Sequence, residues 1–335
     1  MRVAYIVAGL SLYGKGHGIF TQAITWAEEL NKNGIEVDLV NPWQEYDFSA
    51  YDILHLFSYC PRQELTLHSL KSRYGLKIAV SPIIDTNRNP LVSRLMSYLH
   101  FPRFRLYSPL GSLRKSVASV DGWLVRSEYE GEYLRRFLRV NDDKVFKAML
   151  YSRLPALDSV AEAREDFCLM ACILPDPRKN VMRVIQAAIK YNFKLVLAGA
   201  RATTPGLYDE MMRIIASHPN IKVVGRVSDE ELLSLYRRAR VFALPSLMEG
   251  VGLVALEAAA NGCDIVLTNR GGPKEYYDGM ALLVDPLSID QIGLAVMEFM
   301  QGKSFQPKLR EYIAQNHMLS NSAVSLKNAY EQILD

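Results

Sequence analysis

Residues 241–258, with the sequence VFALPSLMEGVGLVALEA, contain the pattern on which the fold prediction rests. The first four residues are apolar and predict a short buried strand, which a Pro-Ser pair ends. A loop with two glycines follows, and the residues from Leu253 to about Asn261 predict a helix. A buried strand, a glycine-containing loop and a helix, in this order, form one repeating unit of a parallel sheet.

The same alternation of strands and helices extends along the chain in both directions. Strands are predicted in the first half at residues 3–8, 35–40, 53–57, 77–84, 122–125 and 145–150. After a polar stretch at 157–166, strands are predicted again at residues 167–174, 193–198, 221–224, 241–244, 265–267 and 281–284. Strands that alternate with helices indicate parallel sheets with both faces covered. We therefore predict an α/β protein with two doubly wound domains.

The predicted domains comprise residues 1–157 and 158–318, followed by a terminal helix at 319–335. A length of 335 residues, with 49% apolar and 22% charged residues, suits two packed cores and argues against disorder. The longest apolar stretch, at residues 3–10, is far shorter than the roughly 18–20 residues of a membrane-spanning helix. The four cysteines have no metal-ligand spacing, so we expect reduced thiols and a cytoplasmic location.

Glycines at positions 14, 16 and 18 follow the first predicted strand. Residues 9–15 fit the start of a GxxxxGK phosphate loop, but Gly16 occupies the position of the Ser or Thr that binds magnesium. The spacing also differs from the GxGxxG pattern of dinucleotide-binding domains. A nucleoside triphosphatase therefore stays an alternative. The glycines suit either a bound phosphate or a tight strand-to-helix turn.

Two carboxylates flank the predicted start of the helix in the opening stretch. Glu249 lies in the loop, and Glu257 lies about one turn into the helix. Free backbone amides at a helix start, together with the helix dipole, favour a bound diphosphate. Glu257 is therefore suited to accept hydrogen bonds from a ribose diol. Upstream, Arg178 and Lys179 lie between a strand and a helix, and cations there stabilise the charge of a departing diphosphate.

This pattern resembles the retaining, metal-independent family-4 glycosyltransferases, which have a GT-B fold of two facing Rossmann-like domains. The resemblance rests on the E-x7-E spacing of Glu249 and Glu257, and on the Pro-Ser pair before it. It also rests on GRVSDE at residues 225–230 and GGxxE at residues 271–275. It is specific over about residues 170–290 and looser at both ends. In this fold the final helix returns to the first domain.

The resemblance implies a role for each of several residues. Lys179, with Arg178, would hold the diphosphate of the donor, and Glu257 would bind its ribose. The backbone around Arg226 and Val227 would meet the nucleobase. The remaining donor-binding residues that it implies are Glu249, Gly250, Val251, Gly252 and Leu253 in the second domain, and Gly14, Gly16, His17 and Gly18 in the first.

The sequence departs from the family pattern at two places. Many relatives have a Gly-Arg pair before the lysine motif, whereas this chain has CILP at residues 172–175, so Arg178 would replace that arginine. Many relatives also have a sugar-contacting His after the fourth strand of the first domain, where this chain has SPIID. Asp85 is the predicted substitute, and His17 and His100 are alternatives. The predicted catalytic residues are thus Glu249, Lys179 and Asp85.

The resemblance implies a retaining hexosyltransferase that moves a sugar from a nucleoside-diphosphate donor to a hydroxyl of a saccharide or lipid-linked saccharide, as in cell-surface polysaccharide synthesis. Glycosyltransferases with a single sheet normally hold a metal with an Asp-x-Asp pair, and this chain has no such pair. We therefore expect no metal and no cofactor, with Lys and Arg as the electrophiles. A non-catalytic sugar-nucleotide-binding subunit is the second alternative.

Positive charge is concentrated in one segment of the first half. Residues 1–157 carry 20 Lys and Arg against 15 Asp and Glu, whereas residues 158–335 carry 19 against 21. From Arg88 to Lys115, six cations are interleaved with aromatic residues and no acidic residue occurs. This segment suits an anionic membrane surface on the inner face, a phosphorylated acceptor, or a solvated basic face. Nucleic acid is not expected, because the domain as a whole is not strongly basic.

Overall fold

The computed structural model describes residues 1–8, 18–157 and 164–335 of the chain. Contacts among these residues divide them into two compact units. The first unit comprises Met1–Met149 and Leu319–Asp335, and the second comprises Leu150–Met318. The chain thus passes from one unit to the other between Met149 and Leu150, whereas the sequence predicted this point between residues 157 and 158.

The first unit is built on a six-stranded parallel sheet. Its strands are β1 (Arg2–Val7), β2 (Glu36–Leu39), β3 (Ile53–Phe57), β4 (Lys77–Ser81), β5 (Gly122–Val125) and β6 (Val145–Lys147), in the order β2-β1-β3-β4-β5-β6. Its helices are α1 (Gly18–Lys32), α2 (Gln63–Tyr74), α3 (Pro90–Ser97), α4 (Pro109–Ser116), α5 (Glu128–Leu138) and α12 (Leu319–Leu334). The central strand β3 is buried along its whole length, as expected of a parallel strand with both faces covered.

The last helix, α12, is part of the first unit because buried polar groups join it to the sheet and to α1. Ser322 accepts a hydrogen bond of 2.8 Å from the indole of Trp26. The Tyr330 hydroxyl lies 2.7 Å from Nδ1 of His55, whose Nε2 lies 2.8 Å from the Ser81 hydroxyl. Burial lowers the pKa of His55 to about 3, so its ring is neutral at physiological pH and serves as a structural link.

The second unit repeats the architecture with a second six-stranded parallel sheet. Its strands are β7 (Glu165–Ala171), β8 (Leu195–Ala198), β9 (Ile221–Gly225), β10 (Ala239–Leu244), β11 (Asp264–Thr268) and β12 (Leu282–Val284), in the order β12-β11-β10-β7-β8-β9. Its helices are α6 (Val181–Tyr191), α7 (Leu207–Ile215), α8 (Asp229–Arg238), α9 (Leu253–Ala260), α10 (Ile289–Met300) and α11 (Lys308–Asn316). The direction of winding reverses between β7 and β10, and open α/β sheets bind ligands at such a switch point.

The predicted α/β class is confirmed, and all twelve predicted strands are present. Strand β4 is shorter than predicted, because Pro82 follows it and Ile83 has a left-handed φ of 52° that ends the extended conformation. Helices α2, α3, α4, α10 and α11 were not predicted. Among the described residues, no helix is both long enough and apolar enough to span a membrane.

Candidate active site

The loops that follow β7 and β10 are tied together at the switch point of the second sheet. Asn180, which has a left-handed φ of 63°, donates hydrogen bonds from its amide to the carbonyls of Pro245 (2.9 Å) and Pro286 (2.6 Å). The Leu247 amide in turn donates to the Arg178 carbonyl at 2.8 Å. The two loops predicted to carry the donor site therefore hold each other in place.

Lys179 and Glu249, one from each of these loops, form an ion pair. The Lys179 ammonium lies 2.7 Å from Oε2 of Glu249, and the Ser246 hydroxyl donates to the same oxygen at 3.0 Å. The Glu249 side chain is only 10% exposed, whereas that of Lys179 is 29% exposed. The carboxylate is thus fixed in one orientation, while part of the cation is open to a ligand.

The backbone of Glu249 needs a glycine opposite it. Glu249 forms an isolated parallel bridge with Gly271. Gly271 has a φ of +90°, and a Cβ at this position would lie 2.0 Å from the Glu249 carbonyl oxygen. The glycine pair after β11 therefore allows the close approach that positions Glu249.

The start of α9 lies against the side chain of Glu249. Gly252 precedes the helix with a φ of 80°, and a Cβ on Gly252 would lie 3.4 Å from the Glu249 Cγ atom. Because glycine has no side chain, it cannot cap the amides of the first turn. Gly250, Val251 and Gly252 are buried. The Ala255 amide donates to the Gly252 carbonyl at 2.8 Å, and the two amides before it, at the start of the helix, lie close to the Glu249 side chain.

Glu257 lies farther along α9 and is 3% exposed. Its carboxylate accepts hydrogen bonds from Arg153 Nε and from the Tyr236 hydroxyl, both at 3.3 Å. The Arg153 guanidinium also pairs with Asp229, at 2.5 and 2.9 Å. Burial raises the pKa of Glu257 to about 6, and the charge of Arg153 opposes that rise. Hydrogen bonding to Arg153 lowers the pKa of Asp229.

The other residues predicted in the second unit are more exposed. Arg178 is 77% exposed, and its guanidinium lies 2.9 Å from Asp176, the residue that caps the 3-10 turn Pro177–Lys179. Arg226 is exposed and Val227 is half-buried, in the loop that joins β9 to α8. Their predicted contacts with the diphosphate and the nucleobase stay predictions.

The residues predicted in the first unit have mixed outcomes. Gly14, Gly16 and His17 lie outside the described residues, and Gly18 is the exposed first residue of α1. The Asp85 carboxylate, 40% exposed, lies 2.8 Å from the buried guanidinium of Arg126. Its predicted catalytic role stays a prediction.

The alternative His100 is buried in the first unit. Its side chain is buried, Nε2 lies 3.1 Å from Glu64, and Nδ1 accepts a hydrogen bond of 3.2 Å from the Ser108 amide. Both ring nitrogens are therefore engaged within the first unit, and the sugar contact suggested for His100 stays a prediction.

Sequence analysis missed three residues of this site. Arg153 and Tyr236 lie far from Glu257 in the sequence, and the only hint of them is that a buried carboxylate requires partners. Tyr277 is also buried. Among the described residues its hydroxyl has no hydrogen-bond partner. Burial first, and the charge of Glu249 second, raise the pKa of this phenol.

Lys179 and the start of α9 thus lie at the switch point of a doubly wound sheet, a place where open α/β folds commonly bind phosphate groups. Residues 175–317 match the model of a family described as "Glycosyl transferases group 1". The second unit therefore carries the sequence pattern of that family over this stretch.

Several known proteins with similar sequences or folds are named as glycosyltransferases, and others as sugar-phosphate synthases. The chain is 25% identical over 224 residues to O-antigen chain mannosyltransferase B of Escherichia coli, across 62% of this chain and 58% of that protein. It thus spans less than two thirds of the length of this curated relative. Its fold is similar to that of a sucrose-phosphate synthase from Thermosynechococcus elongatus, with a TM-score of 0.74, 16% identity and coverage of 99% and 98% of the two chains.

A second solved structure is similar over the whole chain. It is the lipopolysaccharide outer core galactosyltransferase WaaB, with a TM-score of 0.68, 12% identity and coverage of 98% of this chain and 99% of that one. At these identities the solved structures show the fold alone, and that fold is GT-B, as the sequence resemblance implied.

Proposed function

We propose that this protein is a retaining, metal-independent glycosyltransferase. It moves a hexose from a nucleoside diphosphate to a hydroxyl of a saccharide or lipid-linked saccharide. One observation carries the proposal: the Lys179 ammonium, the Glu249 carboxylate and the amide end of α9 converge at the switch point of the second sheet. The names of the relatives support a product of the surface-polysaccharide type.

The donor binds along the first turns of α9 in this proposal. Its diphosphate lies between Lys179 and the amides of Val251 to Leu253, because both supply positive potential. Glu257 is four residues after Leu253, which is about 6 Å along the helix axis. This separation matches the distance between the diphosphate and the ribose of one nucleotide. The Glu257 carboxylate thus accepts hydrogen bonds from the two ribose hydroxyls.

The reaction exchanges one bond at the anomeric carbon of the sugar. The bond from this carbon to the diphosphate oxygen breaks, and the acceptor oxygen forms a new bond on the same face. The acceptor proton passes to the departing diphosphate. Lys179 and the helix amides stabilise the negative charge that develops there. A single well-placed donor contributes roughly 3 kcal/mol in such sites.

Glu249 holds the sugar in this mechanism. Its carboxylate is oriented by Lys179 and Ser246, and it accepts hydrogen bonds from the hydroxyls of the transferred hexose. The buried Tyr277 hydroxyl supplies a second polar group near the same carboxylate. A sugar that binds here gives a partner to the Tyr277 hydroxyl, which is costly to leave unpaired.

The test is a transfer assay with nucleoside-diphosphate sugars and saccharide acceptors. We expect a product with retained anomeric configuration by proton NMR, formed equally well in EDTA. Lys179→Ala should lower the rate at least about a hundredfold, which corresponds to about 2.7 kcal/mol. Lys190→Ala is the control, because Lys190 pairs with Asp290 on the surface. Magnesium-dependent phosphate release without transfer would indicate the triphosphatase alternative. Saturable donor binding without turnover would indicate a non-catalytic subunit.

A further inference from the structure

Helix α3 of the first unit has its polar residues inside and its apolar residues outside. Ser93 and Ser97 are buried, and the Ser93 hydroxyl lies 2.6 Å from that of Tyr133. Leu91 and Leu95, which lie one above the other on the opposite side, are 64% and 72% exposed. This arrangement is the reverse of an ordinary amphipathic helix, whose apolar stripe packs on the core.

A short hairpin that follows α3 continues the exposed apolar surface. The backbones of Phe101 and Leu106 exchange hydrogen bonds of 2.8 and 3.1 Å, and the 3-10 turn Pro102–Phe104 forms the tip. Phe104 is 73% exposed, with an exposed arginine on each side. The hydrogen bonds of the hairpin thus hold a phenylalanine that is mostly exposed to solvent.

We call residues 91–106 the 91–106 surface. Its large, exposed apolar residues are Leu91, Val92, Leu95, Met96, Tyr98, Leu99, Phe101, Phe104 and Leu106. Single exposed apolar residues are ordinary, but a contiguous group of this size marks a place of interaction.

Every charged residue between positions 86 and 120 is positive. Arg88, Arg103, Arg105 and Lys115 are exposed, and Arg94 is half-buried on α3 itself. No Asp or Glu occurs from residue 86 to residue 120. Guanidinium groups bind phosphate oxygens with two parallel hydrogen bonds, so this rim is complementary to an array of phosphates.

We propose that the 91–106 surface docks on an anionic lipid bilayer. Leu95 and Phe104 enter the boundary between headgroups and acyl chains, and Arg103 and Arg105 bind lipid phosphates. A second copy of this chain is a less suitable partner for this surface. A symmetric dimer would place arginines opposite arginines, and their like charges repel. The proposal goes beyond sugar transfer and does not depend on it. It would hold the protein peripherally at the inner face of a membrane.

The test is flotation of the whole protein with vesicles of phosphatidylcholine, alone or mixed with phosphatidylglycerol. We expect the wild-type protein to float with the anionic vesicles at low salt, and poorly with neutral vesicles or at high salt. The double variant Leu95→Ser/Phe104→Ser should lose about tenfold or more in vesicle binding. The double variant Arg103→Gln/Arg105→Gln should bind anionic vesicles more weakly, whereas its weak binding to neutral vesicles should not change.

Two matched variants in the second unit control for general changes of surface. Leu287→Ser removes a 51% exposed leucine, and Lys222→Gln removes an exposed cation. Both should bind vesicles like the wild type. Binding of nucleoside diphosphates without vesicles should be unchanged in every variant, so failure of the docking proposal is separable from failure of the proposed function.

Three results would overturn the docking proposal. They are absence of binding to anionic vesicles at low salt, equal binding by the Leu95→Ser/Phe104→Ser variant, or a dimer in sedimentation that the same variant dissociates. The last result would make the surface an interface between copies.

Discussion

The loops at the switch point of the second sheet and the 91–106 surface of the first unit depart from ordinary folding chemistry in opposite ways. At this switch point, the carboxylates of Glu249 in the loop and of Glu257 in α9 are buried. In the 91–106 surface, large apolar side chains are exposed. The buried carboxylates are paired with cations, Glu249 with Lys179 and Glu257 with Arg153, whereas the exposed apolar side chains have no such compensation. We infer that each region is adapted to a ligand of matching chemistry, a donor sugar nucleotide in one case and a lipid surface in the other.

The largest effect is expected from a substitution that displaces the backbone of Glu249. Gly271→Ala would place a Cβ 2.0 Å from the Glu249 carbonyl at a φ of +90°, so the loop must shift. We expect a loss of about 3–5 kcal/mol in the free energy of unfolding by denaturant titration. Transfer activity should fall with it.

Gly279→Ala is the control for that experiment. Gly279 has a φ of +76°, but nothing lies within 4 Å of a Cβ there. This variant should lose only about 1–2 kcal/mol in the free energy of unfolding, because alanine disfavours the left-handed backbone, and it should keep its activity. Equal destabilisation by the two alanines would show that the close approach to Glu249 contributes nothing.

The buried carboxylate of Glu257 makes donor affinity depend on pH. Its pKa is raised to about 6 by burial, so the carboxylate gains a proton as the pH falls through 6. Because only the ionised form accepts both hydrogen bonds of a ribose diol, affinity for a nucleoside diphosphate should fall by about tenfold between pH 8 and pH 5. Calorimetry at several pH values measures this dependence.

Glu257→Gln provides the comparison for the pH series. It should bind more weakly at pH 8 and show a flat profile over the same range. A wild-type profile without a change near pH 6 would contradict the assignment of Glu257 to the ribose.

A smaller effect is expected when the partner of Glu257 is removed. Arg153 lowers the pKa of Glu257 against the effect of burial. Arg153→Gln should therefore move the midpoint of the binding profile to higher pH by up to about one unit. Arg238→Gln, which removes an exposed pairing with Glu165, should leave the midpoint unchanged. A midpoint shared by all three proteins would remove Arg153 from the site.

The sequence predicted the parts of this molecule that depend on local order. Most strands of both sheets contain a continuous apolar run, and the loops that carry Lys179 and Glu249 follow two of these strands. The carboxyl ends of parallel strands lie at one edge of a sheet. The strand pattern therefore suffices to predict that these loops lie close together.

The missed features depend on contacts between distant residues. Arg153 and Glu257 are 104 positions apart, and no pattern in the sequence connects them. Helix α3 was missed because its serines face inward, so its apolar residues do not mark the buried side. The cationic character of its surroundings was visible, but the exposure of Leu95 and Phe104 follows only from the fold.

The most direct test of the central claim is a crystal structure of the protein with a nucleoside-diphosphate sugar, soaked in the presence of magnesium. The account predicts diphosphate oxygens within hydrogen-bond distance of the Lys179 ammonium and of the amides at the start of α9, with the ribose on Glu257. A magnesium ion bridging the diphosphate, or a donor bound away from α9, would contradict it.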